Sequence, residues 1–290
     1  MNDKAKGIGA TLISAVYFGF VPLLMKTVYA SGGNSFTAAF LRFAFSIPLL
    51  YIFAKSRGID LRISLNELKH FIIMTVFGYA GTTILIFSAY NFIPTGMATT
   101  IHFLYPTFTV VGLMLFFREN IKPLKIVCVV LCLVGVMLFN QSGGEISVVG
   151  ILLALCSSMT YAFYTIYLSK SILRDMEPPK RLLYMHSIGT VMMGIIGLIS
   201  GRLEFTMAPL GWGIMFLTAN LTCFIGAMLY QIGVKHIGSA NAAMLSTFEP
   251  ITSVIVGVIA YSEAMTFRIV LGILAILCST LIIARTEGTE

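Results

Sequence analysis

Along the 290 residues, apolar side chains fall in long unbroken runs separated by short polar stretches. The runs lack the every-second-residue alternation of membrane-barrel strands. Each is close to the roughly 20 residues that a helix, rising 1.5 Å per residue, needs to cross ~30 Å of hydrocarbon. Ten helices are predicted, over 7–30, 35–54, 70–89, 95–117, 123–139, 148–169, 182–200, 210–233, 239–261 and 267–284. The pattern therefore predicts an all-α polytopic membrane protein, with connections too short to hide a soluble domain. The first run is too long for the apolar core of a secretory signal and is expected to be a retained helix.

The ninth run is the most informative. It is apolar or small almost throughout, yet carries the dipeptide Glu249-Pro250 at its middle, and Glu263 closes it. The fourth run has the same layout 144 positions earlier: Pro106 matches Pro250, Glu119 matches Glu263, and Tyr105 stands where Glu249 does. Runs one and six match at nearly the same offset. Both open with glycine, carry Ser14 or Ser157, continue with Tyr17-Phe18 or Tyr161, and end at Lys26 or Lys170. Two matches at one offset predict a duplication, 1–143 and 144–290, with the boundary near Asn140–Glu145. Five crossings per half is an odd number, so the second half is expected to enter the membrane from the opposite side. Inverted repeats of this kind are the architecture of alternating-access transporters.

Composition agrees that lipid is the main solvent. The chain is 58% hydrophobic and 11% charged, with a mean hydropathy of +0.93, where a soluble domain is about a quarter charged. The net charge of +7 is a topology signal, not a sign of nucleic-acid binding. With the first helix leaving the cytoplasm, fifteen of the nineteen Lys and Arg residues fall on the cytoplasmic side, among them Lys6, Arg118, Lys170 and Arg174. Only Arg202 and Arg268 fall outside, and Lys26 and Arg42 lie within runs. The positive-inside rule then places both termini in the cytoplasm and the chain in the cell membrane. The five cysteines all fall inside runs, where thiols act as small hydrophobes. No disulfide or metal site is expected.

Glu249 is the first candidate for chemistry. A charged carboxylate at bilayer depth costs at least ~2.5–3.5 kcal/mol, so it should face the bundle interior and alternate between charged and neutral forms. Pro250 has no N–H for the Ser246 carbonyl, and Pro106 has none for that of His102, so both acceptors are expected to be free at a helix break. Ser246, Thr252 and Ser253 share or flank the Glu249 face. His102 and Tyr105 form an i,i+3 pair. Arg42 keeps its proton and could meet an anionic group such as an amino-acid carboxylate or a phosphate, or reach the outer interface; Lys26 is expected to reach the interface. Tyr17, Tyr79, Tyr90, Tyr161, Tyr164, Asn220, Tyr230 and Gln231 are further polar candidates, because polar groups at this depth face protein. No G-x-x-x-x-G-K-[ST], H-E-x-x-H or G-x-S-x-G run is present, so no cofactor, ATP site or catalytic metal is expected.

Ten runs as five plus five, prolines in runs four and nine, and the closing Arg118-Glu119 and Ser262-Glu263 pairs resemble the drug/metabolite transporter superfamily, most closely its EamA-type branch. The resemblance covers about 7–285. It implies a secondary transporter, often an exporter of amino acids or other small metabolites, with a cavity lined by the first four helices of each repeat and the fifth and tenth packed outside. The partners expected are a small-molecule substrate, a proton and the lipid bilayer. Two other readings stay open on the residues alone. One is an intramembrane enzyme acting on a lipid-borne substrate, for which only Glu67, Lys69 and His70 come near one membrane face, where they read better as an interfacial helix start. The other is a channel or a structural bundle.

Overall fold

The structure, a computed structural model, describes residues 3–93, 95–119, 122–138, 147–261 and 266–288. Among these the regular elements are all helical: α1 (Asp3–Gly19), α2 (Val21–Ala30), α3 (Ser35–Ala44), α4 (Ser46–Ser56), α5 (Leu65–Met74), α6 (Ala80–Ala89), α7 (Thr95–His102), α8 (Tyr105–Phe117), α9 (Pro123–Leu138), α10 (Val148–Lys170), α11 (Pro178–Ile199), α12 (Pro209–Thr218), α13 (Ala227–Leu245), α14 (Phe248–Tyr261) and α15 (Phe267–Gly288). Seven helical stretches are long and apolar enough to cross a membrane, and three shorter apolar helices, 123–138, 248–259 and 267–282, accompany them. The expected repeat boundary and Glu263 lie outside the described residues.

Several runs predicted as single helices are jointed. The first bends at Phe20 and the second at Phe45, each just ahead of a proline that sits in the first turn of the new helix, where its missing N–H costs nothing. The third and eighth runs pass through π-helical segments, Thr75–Tyr79 and Ala219–Gly226. Such wide turns are rare and occur mostly at functional sites. α13 is kinked at Gly238, whose φ of +79° suits glycine. The third run also begins earlier than predicted. Ser64 and Glu67 form a reciprocal capping box, Glu67 N to Ser64 Oγ at 3.1 Å and Ser64 N to Glu67 Oε2 at 2.6 Å, which starts the helix at Leu65 on a polar first turn.

The outer surface is hydrocarbon: Leu115, Phe116, Ile199 and Ile259 are 70–84% exposed. Inside, helices approach at glycines. A Cβ on Gly233 would stand 2.0 Å from Thr11 Oγ1, and one on Gly78 would stand 2.9 Å from the Cβ of Tyr164. α1 runs along α13 and against α14, α10 runs along α6 and α8, α3 and α4 pack on α11, and α9 packs on α15. Several buried hydroxyls bond back into their own helices, as in Thr11 to Gly7 O (2.9 Å) and Thr222 to Thr218 O (2.8 Å), and these need no water.

The bundle has two polar ends. At the N-terminal end Lys180 Nζ donates to Arg62 O (2.6 Å) and Tyr184 Oη to Leu61 O (2.6 Å). At the far end Asn34 Nδ2 donates to Arg202 O (3.0 Å), and Thr37 Oγ1 to Glu204 O (2.9 Å).

Candidate functional site

The fourth and ninth runs each divide into two helices, at Phe103–Leu104 and at Ser246–Thr247. The prolines therefore do not kink a continuous helix. Pro106 lies in the first turn of α8 and Pro250 in the first turn of α14, positions that need no backbone N–H. The Ser246 carbonyl, expected to be free, is not. The turn tightens, and the backbone N–H of Glu249 donates to it at 3.0 Å. What the break supplies is a helix N-terminus inside the membrane, where the first-turn N–H groups and the helix dipole favour a carboxylate. Glu249 occupies that first turn.

Glu249 opens onto a central cavity of about 140 Å³. The cavity is also lined by Arg42, His102, Tyr105 and Tyr161, and by Phe18, Tyr79, Thr82, Thr83, Tyr90 and Thr99. These residues come from six of the predicted runs. The aromatic wall is tightly meshed. The rings of Tyr105 and Tyr161 meet edge to face with centroids 4.7 Å apart, and His102 lies 5.5 Å from each. His102 Nδ1 is bonded to Ser157 Oγ at 3.0 Å, which fixes its ring against α10. Arg42 Nε donates to Cys223 Sγ at 3.2 Å; that bond engages one donor of the planar guanidinium and leaves the Nη pairs uncommitted by it. Gly19 brings the end of α1 against α14, since a Cβ there would stand 2.5 Å from that of Thr252 and 2.9 Å from Glu249 O.

Other residues singled out in the sequence do not line this cavity. Ser246 Oγ donates to Ala242 O (2.8 Å), and Asn220 Nδ2 to Phe216 O (2.8 Å), leaving its buried Oδ1 unpartnered. Tyr17 is half-buried on α1, while its neighbour Phe18 reaches the cavity. Tyr230 sits in a layer beyond the cavity, where its hydroxyl bonds Thr165 Oγ1 at 2.9 Å.

That layer closes the N-terminal side. Tyr164 and Tyr230 stack at 6.4 Å, Gln231 Nε2 donates to Tyr164 Oη (3.3 Å), and Ser169 Oγ donates to Ser239 Oγ (3.0 Å). All of these bonds tie α10 to α13. Toward the far end, a hollow of about 610 Å³ lined by Lys26, Tyr29, Asn34 and Asn91 shares Val21, Phe87, Tyr90 and Thr99 with the central cavity. Among the described residues no group of His, Cys, Asp and Glu is arranged to hold a metal ion.

A family model described as "EamA-like transporter family" matches residues 5–141 and again 148–285. The chain is 24% identical to an uncharacterized transporter, sll1319, of Synechocystis sp., over 91% of this chain and 89% of that one. It is 28% identical to the uncharacterized transporter YvbV of Bacillus subtilis, over 65% and 63%, and 23% identical to an uncharacterized transporter of Archaeoglobus fulgidus, over 85% and 87%. A solved crystal structure has the same fold, with a TM-score of 0.81 over 96% of each chain at 17% identity.

Proposed function

The chain belongs to the EamA-like transporter family, and from that premise we propose that it is a secondary active exporter of a small organic metabolite such as an amino acid, working by proton exchange. It is a multi-pass membrane transporter and not an enzyme. In this reading the ten predicted runs are ten crossings, arranged as two inverted repeats, 1–143 and 144–290. Both termini face the cytoplasm of the cell membrane. The repeats rock about the central cavity and open it to one side at a time.

The observation that carries the reading is Glu249 at the head of a half-helix, on the same small cavity as Arg42, His102 and Tyr105. A carboxyl there binds a proton when the cavity meets the outer face and yields it, or exchanges it for a substrate amine, at the inner one. Arg42 offers a fixed positive charge for the substrate's anionic group. The repeat reading is supported by the paired joints at 103–104 and 246–247 and the paired π segments at 75–79 and 219–226, which recur near the offset seen in the sequence. The outward connection of the cavity and the tyrosine layer closing its other side match one half of an alternating cycle.

The test is counterflow in proteoliposomes. Vesicles preloaded with single amino acids or related metabolites are diluted into labelled solute, with and without an imposed pH gradient. Saturable accumulation that follows the gradient supports a proton-exchanging carrier. Flux that does not saturate, or that ignores the gradient, overturns it.

A further inference from the structure

On the outside of the bundle, between α8 and α10, runs an apolar groove of about 770 Å³ lined by Phe108, Val111, Leu115, Ala162 and Ile166. Its floor is set by Gly112, where a Cβ would stand 2.7 Å from Ile166 Cδ1, so the missing side chain makes the depression. The groove ends at the N-terminal face on polar groups. There His70 Nδ1 bonds Tyr167 Oη (2.5 Å), beside Lys170 and Ser171.

Lys170 also lines a second hollow of about 320 Å³, and so joins the two. Lys125, Arg174, Lys235 and His236 stand around that hollow, with Glu119 as its one carboxylate among the described residues. Glu119 is ion-paired with Lys170, which leaves Arg174 and Lys235 as cations of the hollow beyond that pair. Asn241, 5% exposed, also lines it; its Nδ2 donates to Ile237 O (2.6 Å), and its Oδ1 has no partner. The hollow thus offers cations for an anion and one buried acceptor for a hydroxyl.

We propose that this groove and hollow together hold an anionic glycerophospholipid of the leaflet at the N-terminal end, an acyl chain in the α8–α10 groove and the phosphate and headgroup hydroxyl in the Lys170–Arg174–Lys235 hollow. Under the orientation proposed above, that leaflet is the cytoplasmic one. The acyl groove distinguishes the occupant from a soluble anion, which would gain nothing from 770 Å³ of apolar wall. The positive charge of Arg174 and Lys235 distinguishes it from a zwitterionic lipid. The groove also lies near the central cavity on both helices, three residues away along α8 and one along α10. Phe108 and Ala162 face it, while Tyr105 and Tyr161 face the cavity. A bound acyl chain therefore braces the pair of helices whose tyrosines meet at 4.7 Å.

The test uses a single-tryptophan reporter in the full chain. Trp212 is the only tryptophan, so a Trp212→Phe, Leu115→Trp protein carries its fluorophore in the groove alone. It is placed in nanodiscs of dibrominated phosphatidylcholine with increasing dibrominated phosphatidylglycerol. Both leaflets have the same lipid, so the result does not depend on the orientation or on any transport activity. Preferential quenching by phosphatidylglycerol is expected, weakened on the order of fivefold for each cation removed in Arg174→Gln and Lys235→Gln. Equal quenching by both lipids, as when a second copy of the chain covers the groove, overturns the proposal. So does a preference that the two substitutions leave unchanged. Thermal unfolding of the unsubstituted protein in detergent provides an independent reading: stabilisation by phosphatidylglycerol but not by phosphatidylcholine or inorganic phosphate supports the site, and equal stabilisation by inorganic phosphate overturns it.

Discussion

Tyr105 and Glu249 hold the same station in two broken helices: each lies in the first turn of the second half-helix, each is followed at once by proline, and each lines the central cavity. A half-helix N-terminus favours negative charge, yet only Glu249 can supply one at ordinary pH. In the proposed cycle this asymmetry gives proton exchange to α14 and a fixed aromatic wall to α8. Glu249→Gln keeps the size and hydrogen-bonding capacity of the side chain and removes the titration. It is expected to abolish accumulation driven by a pH gradient while folding, read by size-exclusion profile and melting temperature, stays near that of the unsubstituted chain. Undiminished gradient-driven accumulation by this variant would remove Glu249 from the coupling step.

Arg42 separates charge from geometry. Its Nε is held by Cys223 Sγ at 3.2 Å, so the guanidinium is oriented before any substrate arrives. Lysine keeps the charge but has neither the fork nor this anchor. Arg42→Lys is expected to weaken binding of a carboxylate-bearing substrate roughly ten- to a hundredfold, the range of one lost charge-assisted bond. Cys223→Ala, which frees the guanidinium to wander without removing it, should cost less. Substrate-dependent thermal shifts for the two variants, measured in parallel, give the order. Equal affinity in Arg42→Lys and the unsubstituted chain would show that the fork does not touch the substrate.

Much of this arrangement was legible in the sequence, for a physical reason. Runs of apolar residues are set by bilayer thickness, so the crossings near 148–169 and 182–200 emerged within a few residues of α10 and α11. A carboxylate amid such a run is costly enough that Glu249 could be selected on energy alone. Which face each helix turns inward was far less legible, because these helices are apolar all round and carry little amphipathic signal. Thr82, Thr83 and Thr99 line the cavity without a sequence signal to mark them; a hydroxyl that bonds back within its helix, as that of Thr83 does on Tyr79 O at 3.1 Å, looks the same wherever it points. The π segments at 75–79 and 219–226 were invisible too, since a single wide turn shifts the register without altering composition. Nor does the sequence show that the turn at 246–247 tightens and pairs the Ser246 carbonyl with Glu249 N, where a proline in a straight helix would leave it free.

The layer beyond the cavity predicts a gate. Thr165–Tyr230, Tyr164–Gln231 and Ser169–Ser239 tie α10 to α13, so opening that side must break them together. Interhelical hydrogen bonds in membranes average about 0.6 kcal/mol each, close to a threefold shift in an equilibrium. Thr165→Val and Tyr230→Phe each remove one partner with little change in volume. Each is expected to raise threefold the fraction of molecules open at the N-terminal end, and the double variant no more than either single one, because both sever the same bond. Labelling of a cysteine introduced at Thr83, on the central cavity, from the N-terminal side of sealed vesicles reads that fraction. Additive effects of the two substitutions would mean that they act elsewhere than on one shared contact.

The tightest approach at a glycine among the described residues makes the last prediction. α1 meets α13 with Thr11 Oγ1 only 2.0 Å from where a Cβ on Gly233 would stand, and with the Gly7 carbonyl 3.3 Å from it. Thr11 cannot retreat easily, because its hydroxyl is bonded to Gly7 O at 2.9 Å inside its own helix. Gly233→Ala must therefore push α1 away from α13 or break that bond. Overpacking of this kind costs about 1–3 kcal/mol, and the variant should melt earlier than the unsubstituted protein. Thr11→Ala removes the obstructing hydroxyl and should restore part of the loss when combined with Gly233→Ala, although alone it gives up a bond. Gly213, where an added Cβ meets nothing within 4 Å, is the matched control. Melting temperatures of the four variants in one detergent decide it: a Gly233→Ala protein as stable as Gly213→Ala would mean that α1 and α13 do not pack at the distance described.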